Sequence, residues 1–304
     1  MSQNGNQRCG VVALIGAPNA GKSTLTNQLV GAKVTIVTHK VQTTRSRIRG
    51  IALDEETQII LLDTPGIFEP RAQRRLDRAM VHAAWSSATD ADQIVLLVDA
   101  TKGADDPETL AIVEGLKKQN AKAVLAINKV DGFKRDKLLP IADGLSKLFD
   151  FEAVFMISAL DGNGCKDLKS WLSERMPTGP WLYPEDELSD LPERMLAAEV
   201  TREQVFLQLH DELPYSATVE TENWEERRDG SVKIDQVLVV ERDSQKKIAL
   251  GKGGRKIREI GQRARVELEE MLERRVHLFL FVKVRDNWQN DRERLTQWGL
   301  EWDV

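Results

Sequence analysis

Eight consecutive residues near the amino end, Gly16-Ala17-Pro18-Asn19-Ala20-Gly21-Lys22-Ser23, fit the pattern G-x-x-x-x-G-K-[ST]. They follow an apolar run, Val11–Ile15, and open a helical stretch, Ser23–Val30, which is the strand-to-helix context the pattern requires. Glycines at these positions let backbone N–H groups close around phosphate oxygens. The helix start adds partial positive charge. Lys22 reaches β- and γ-phosphates, the Ser23 hydroxyl is suited to Mg²⁺, and Thr24 belongs to the same cradle.

Three further motifs follow in order. Asp63-Thr64-Pro65-Gly66 ends the apolar run Ile59–Leu62. A carboxylate there holds Mg²⁺ through water, and the Gly66 N–H senses a γ-phosphate. Asn128-Lys129-Val130-Asp131 follows Val124–Ile127. The Asp131 carboxylate can accept from guanine N1–H and the 2-amino group, a donor pair that adenine lacks. A buried polar mismatch of this kind is rejected by up to about 10⁴–10⁵ in favourable sites. Ser158-Ala159-Leu160, after Val154–Ile157, adds backbone contacts to the guanine oxygen. Gln42-Thr43-Thr44-Arg45 supplies a threonine to complete the Mg²⁺ shell, Thr44 by preference and Thr43 as the alternative. Lys22, Thr44 and Gly66 are the candidates for turnover, and Ser23, Thr44 and Asp63 for the metal. Such loops order with triphosphate and relax after hydrolysis.

These residues resemble the translation-factor-related branch of the P-loop GTPases. Ras-like members carry Gln just after the D-x-x-G motif to orient the attacking water. Ile67 stands there in this chain and cannot hydrogen-bond water, so intrinsic hydrolysis is expected to be slow. The resemblance extends to GTPases in which an Asn at the position of Asn19 helps hold K⁺ beside the phosphates. K⁺ binding by Asn19 with the Thr38–Val41 loop and a loop-shaping role for Asn19 both remain open.

The elements that must position these residues alternate. Apolar runs at Val11–Ile15, Ile59–Leu62, Ile94–Val98, Val124–Ile127 and Val154–Ile157 read as buried parallel strands. Helical stretches at Ser23–Val30, Gln73–Ser87, Asp106–Lys118, Asp136–Leu148 and Cys165–Arg175 lie between or after them. An edge strand at Ile48–Leu53 pairs antiparallel with Gln58–Leu62. The expectation is a doubly wound α/β domain with a mixed sheet over 1–176. Four prolines (Pro177, Pro180, Pro184, Pro192) with Glu185, Asp186, Glu187 and Asp190 mark an acidic linker, 177–192. Residues 193–286 then read α-β-β-α-α-β, with Asp229-Gly230 as the hairpin turn. Residues 287–304 form a tail with Trp288, Trp298 and Trp302, either a packing tail or a docking strip.

Between Arg242 and Arg265 stand nine Lys+Arg against two acids, Asp243 and Glu259. This island surrounds Gly251-Lys252-Gly253-Gly254, a G-x-x-G loop between two helices. Its glycines permit close approach to a nucleic-acid backbone, and Lys246, Lys247, Lys252, Arg255 and Lys256 supply charge. A KH domain of type II clamps about four unpaired nucleotides in this way.

Composition alone points elsewhere. The chain has 304 residues, 43 Lys+Arg and 48 Asp+Glu, a net charge of −5. Residues 176–304 sum to −7, so the acidic total hides the basic island. Two cysteines, Cys9 and Cys165, exclude a disulfide framework and a cysteine zinc site. No apolar run approaches the roughly 20 residues of a spanning helix. The start lacks the apolar core of a signal peptide, so a cytoplasmic protein is expected. His39, His82, His210 and His277 do not cluster.

The stretches GAPNAGKSTLTNQL, VTHKVQTTRSRIRGI, LLDTPGI, INKVD, ISAL, ELPYS, VERDSQKKIALGKGG and VHLFLFVKVRDNW resemble the bacterial Era family of GTPases along almost the whole chain. The resemblance implies binding near the 3′ end of small-subunit ribosomal RNA, a role in late assembly of the small ribosomal subunit, and a peripheral inner-membrane pool of a monomer. Ile67 and Asn19 conform to that family. Two rival readings are a GTPase acting with tRNA-modification partners and an RNA-binding assembly chaperone with little turnover. The first lacks a visible catalytic Cys or cofactor domain, and intact Lys22, Asp63 and Asp131 oppose the second.

Overall fold

The computed structural model describes residues 7–71 and 74–304. The amino-terminal residues read for a leader, before residue 7, and Gln73, the expected first residue of a helix, lie outside the described residues. Contacts divide the chain into two compact units: residues 1–35, 44–190 and 292–304, and residues 36–43 and 191–291.

The first unit is built on six strands, β1 (Arg8–Gly16), β2 (Ile48–Asp54), β3 (Thr57–Asp63), β4 (Gln93–Asp99), β5 (Val124–Asn128) and β6 (Val154–Met156). Their order in the sheet is β2-β3-β1-β4-β5-β6. All neighbours run parallel except β2 and β3, which pair antiparallel from Ile48↔Asp63 to Asp54↔Thr57. Helices α1 (Lys22–Val30), α2 (Arg75–Asp90), α3 (Pro107–Lys118), α4 (Arg135–Leu148) and α5 (Cys165–Ser173) cover it. The alternation of β1 sorts its side chains. Val12 and Leu14 pack with Leu25 and Leu29 of α1 and Leu168 and Leu172 of α5. Ala13 and Ile15 face the other layer, with Ala84 and Ala88 of α2, Ile112 and Leu116 of α3, and Leu138 and Leu145 of α4. Both faces are therefore buried, as near-continuous apolar runs require. The strand order reverses at β1, between β3 and β4, and the loops following β1, β3, β5 and β6 lie at the strands' carboxyl ends. In open α/β sheets that is where ligands bind.

The second unit contains α6 (Glu193–Gln208), β7 (Ala217–Glu226), β8 (Val232–Val240), α7 (Asp243–Leu250), α8 (Arg255–Met271) and β9 (Val276–Val284). β7 and β8 form an antiparallel hairpin, irregular between Thr221 and Asn223, and β8 pairs parallel with β9. The turn has Gly230 at φ 80°, and the Asp229 carboxylate accepts from the Ser231 N–H. Val205 and Leu209, Leu238 and Val240, and Ile257 and Ile260 share one core. Helix α6 ends at Gln208, where Leu209 takes extended backbone (φ −96°, ψ 153°).

The tail is a packing element. Trp288 is buried, and its indole N–H donates to the Ser216 carbonyl at 3.1 Å. A short helix, α9 (Arg292–Gln297), was not expected from sequence. Beyond it, the Arg75 guanidinium lies 4.4 Å from the Trp302 ring centroid. Among the described residues no helix is long and apolar enough to cross a membrane.

Candidate functional site

The loop Gly16–Ser23 leaves β1 and enters α1 through backbone that few residues adopt. Gly21 has φ 100°, and a Cβ there would sit 2.2 Å from the Asn128 amide nitrogen. Asn19 holds a left-handed φ of 63° without being glycine. α1 starts with no side-chain cap and no acidic residue in its first turn. Nothing negative from its own first turn therefore competes for an anion at the helix start. Lys22 is buried, and its ammonium donates to the carbonyls of Gly16 (3.1 Å) and Ala17 (3.0 Å). Burial lowers its pKa to about 8, partly opposed by the Asp63 carboxylate.

Asp63, at the end of β3, is sealed from solvent. Its Oδ2 accepts from the Ser23 hydroxyl at 2.7 Å, and its Oδ1 is buried without a partner. Burial raises its pKa to about 6 against the pull of Ser23, Lys22, Thr35 and Thr44. Thr44 Oγ1 lies 2.8 Å from Ser23 Oγ and 3.5 Å from Asp63 Oδ2. Thr43 Oγ1 instead pairs with Thr38 Oγ1 at 2.6 Å and donates to the Lys40 carbonyl at 2.7 Å. The geometry thus separates the two threonines that the sequence left open. The three oxygens of Ser23, Thr44 and Asp63 form the hard-oxygen corner that magnesium prefers. The partnerless Oδ1 of Asp63 lacks what a divalent cation would supply, and the buried Lys22 ammonium has carbonyl acceptors but, among the described residues, no anion hydrogen-bonded to it, so these residues fit Mg²⁺ with a nucleotide. Bound there, Mg²⁺ would neutralise charge developing on the phosphates.

Gly66 lies against the phosphate loop. A Cβ on it would approach Pro18 Cα and N at 2.8 Å, and the next residue, Ile67, donates its N–H to the Gly16 carbonyl at 3.1 Å. Thr64 Oγ1 ties the same strand end to the Leu14 carbonyl at 2.7 Å. Ile67 is buried among apolar side chains.

At the next strand ends Asn128 acts as a brace. Its amide nitrogen donates to the Ala20 carbonyl at 2.8 Å, and its Oδ1 accepts from the Ala159 N–H at 2.9 Å. It thereby joins the phosphate loop to Ser158-Ala159-Leu160. Lys129 takes φ 64° and pairs with Asp99 at 2.6 Å, which holds the Asp99 carboxyl below its usual range despite partial burial. Sequence reading missed Asp99. Val130 N–H donates to the Ile157 carbonyl at 3.3 Å. Asp131 is exposed at its rim, and its Oδ1 accepts from the Ser158 hydroxyl at 2.8 Å, which leaves Oδ2 as the other acceptor for a base edge.

In the second unit the G-x-x-G loop follows α7. Gly251, Gly253 and Gly254 all have positive φ (68°, 61° and 73°). α8 starts without a side-chain cap or a first-turn acid. Lys247, Lys252 and Arg255 are exposed, and Lys246 and Lys256 are half-buried. Arg258, which the sequence reading left out of the candidate set, donates to the carbonyls of Gly253 (2.8 Å) and Gly254 (3.2 Å) and braces the loop from α8. The signal was its spacing of four residues from Gly254 on a helix. Ile248 of α7 and Val266 of α8 are exposed apolar side chains of this unit.

A phosphate loop, a carboxylate corner and the Asp131–Ser158 rim stand at the topological switch of a doubly wound sheet, and the same chain continues into an α-β-β-α-α-β unit with a G-x-x-G loop. Such a chain is a P-loop GTPase joined to a KH domain. Residues 11–129 match the family described as 50S ribosome-binding GTPase, and residues 212–289 match the KH domain. The chain is 61% identical to the GTPase Era of Sinorhizobium medicae over 295 residues, covering 97% of this chain and 94% of that one. It is 59% identical to the GTPase Era of Brucella suis, covering 97% and 94%. Two solved structures share the fold at 38% identity. One is Era in complex with MgGDPNP and nucleotides 1506–1542 of 16S ribosomal RNA, with a TM-score of 0.92 over 97% of this chain and 99% of that one. The other is Aquifex aeolicus Era bound to GDP·AlF4⁻, with a TM-score of 0.91 over 96% and 99%. The chain belongs to the Era family of GTPases.

Proposed function

We propose that the protein is a slow GTP switch that grips the 3′ region of small-subunit ribosomal RNA and acts in assembly of the small ribosomal subunit. Gly16–Thr24 take the phosphates. Ser23, Thr44 and Asp63 hold Mg²⁺, and Lys22 and Gly66 face the γ-phosphate. Asn128–Asp131 and Ser158–Leu160 take the guanine. Ile67 offers no hydrogen bond to an attacking water, which keeps turnover low. K⁺, held through Asn19, is proposed as a second cation beside the phosphates. Lys246, Lys247 and Gly251–Lys256 clamp unpaired RNA.

The observation that carries this reading is the presence, in one chain, of the Asp63 corner and a glycine clamp with three positive-φ glycines between two helices. The rRNA complex of the similar Era structure supports the choice of RNA. A GTP-dependent change in RNA affinity must be matched by an equal change in GTP affinity on adding RNA. The protein is further proposed to act as a monomer in the cytoplasm, with a peripheral inner-membrane pool supported by the family resemblance. Crosslinking the bound RNA in cells and sequencing it tests the central claim. Recovery of the small-subunit rRNA 3′ end is expected, and recovery of tRNA overturns it.

A further inference from the structure

Asp99 ends β4, and its register partner on the parallel neighbour β5 is Asn128. No nucleotide motif of the sequence includes it. Its carboxylate is buried and engaged at both oxygens. Oδ1 accepts from the Thr101 N–H at 2.9 Å and from the Thr101 hydroxyl at 2.7 Å, which caps the single helical turn Ala100–Lys102. Oδ2 accepts from the Lys129 ammonium at 2.6 Å. Burial opposes ionisation of Asp99, yet the bonds from Lys129 and Thr101 hold its carboxyl below the usual range. The cation of the helical turn itself, Lys102, is taken by Glu108 at 2.8 Å and Asp106 at 3.7 Å. Asp99 is thus left to Lys129.

Lys129 stands between two residues with different tasks. Asn128 braces the loops through the Ala20 carbonyl and the Ala159 N–H. Asp131 has the Ser158 hydroxyl on Oδ1 and Oδ2 as its other acceptor. Lys129 itself takes φ 64°, a backbone that costs energy in a residue with a Cβ. Its charge-assisted bond to Asp99 is of the stronger kind and offsets that cost. Lys129 is also the cation closest to Asp131 along the chain. Released from Asp99, its ammonium would find the Asp131 carboxylate two residues away. There it would compete for Oδ2 with the N–H donors of a base.

We propose that Asp99 is a positioning residue for base recognition: it holds the Lys129 ammonium at the end of β4 and so keeps the Asp131 carboxylate open to the two donors of a guanine edge. The inference rests on the reading that Asp131 takes guanine. Its consequence is selective. A base that offers two donors to Asp131 loses more from a competing ammonium than a base that offers one. Inosine diphosphate has the N1–H but no 2-amino group, and it carries the same phosphates as GDP. General loosening at the end of β5 would weaken both nucleotides alike, whereas a competing ammonium narrows the preference for GDP.

The test uses the full chain with a fluorescent GDP, displaced by GDP or by inosine diphosphate. Asp99→Asn keeps the size of the side chain and an acceptor for Thr101, and removes the charge that holds Lys129. It is expected to weaken GDP about tenfold and inosine diphosphate only about two- to threefold. Adding Lys129→Met removes the released cation, and the double variant should return the GDP preference to within about twofold of wild type. An unchanged preference in Asp99→Asn, or a double variant no more selective than Asp99→Asn alone, overturns the proposal. Lys129→Met alone leaves β4 as it is and keeps the test decisive if Asp99→Asn does not fold. It should retain the preference, and its loss there would assign selectivity to the ammonium itself and overturn the proposal. A wild-type chain that binds the two diphosphates equally would instead sink the assignment of Asp131 to the guanine edge.

Discussion

The hydroxyl of half-buried Ser23 donates to the fully buried Asp63 carboxylate at 2.7 Å. Burial raises the Asp63 pKa from 3.8 to about 6. Mg²⁺ requires the ionised carboxylate, so a proton competes with it. Mg²⁺-dependent triphosphate binding is expected to be flat above about pH 7 and to fall as pH drops through 6. In the nucleotide-free chain the sign is opposite. A raised carboxylate pKa favours the folded state below the usual value, and that contribution is lost as pH rises through 6. Binding isotherms from pH 5 to 8, with Asp63→Asn as control, check this. Asp63→Asn should bind weakly without the pH step.

Asp131 and Ser158 are proposed to set the base specificity. With the Ser158 hydroxyl on Oδ1, the Asp131 carboxylate keeps Oδ2 for the guanine edge. Asp131→Asn replaces an acceptor with a donor at one position, opposite the donors of guanine. GTP affinity is expected to fall by about 100-fold or more, and xanthosine triphosphate, with an oxygen at C2, should gain. Competition titrations with GTP, XTP and ATP measure both effects. Unchanged GTP affinity would remove Asp131 from the pocket.

Gly251 offers a variant that should separate the proposed RNA grip from nucleotide binding. Its φ is 68°, and an added Cβ would meet Lys256 Cβ at 2.7 Å, so a side chain strains the backbone and crowds α8. Gly251→Ala is expected to lower affinity for a single-stranded rRNA 3′-end oligonucleotide by about tenfold or more, while GTP affinity stays within about twofold. Lys252→Ala should weaken RNA binding and reduce the slope of its salt dependence by about one phosphate contact.

The strands and phosphate motifs were legible because their residues are constrained locally. Apolar runs mark strands buried on both faces, and Gly21 and Lys22 allow few alternatives. Legibility failed where a role depends on distant partners. Nothing local separates Thr43 from Thr44; one hydroxyl turns to Thr38 and the other to Ser23 only once β3 has placed Asp63. Asp99 and Arg258 serve Lys129 and the G-x-x-G carbonyls across loops, and no motif names them. The tail stayed ambiguous because three tryptophans among charged residues suit packing and docking equally.

Trp288 gives a stability measure of that tail. It is 2% exposed, and its indole N–H is satisfied by the Ser216 carbonyl. Trp288→Ala removes a large buried ring and leaves that carbonyl without its donor, at an expected cost of about 3–5 kcal/mol. Trp288→Phe keeps most of the volume but not the donor, and should cost about 1–3 kcal/mol. Both should lower the melting transition of the KH unit, followed by far-ultraviolet circular dichroism. Trp302→Ala, where the ring packs on Arg75 at the surface of the first unit, should cost only about 0.5–1 kcal/mol. If Trp302→Ala proved as damaging as Trp288→Ala, the Trp302 ring would carry far more of the fold than its packing on Arg75 accounts for.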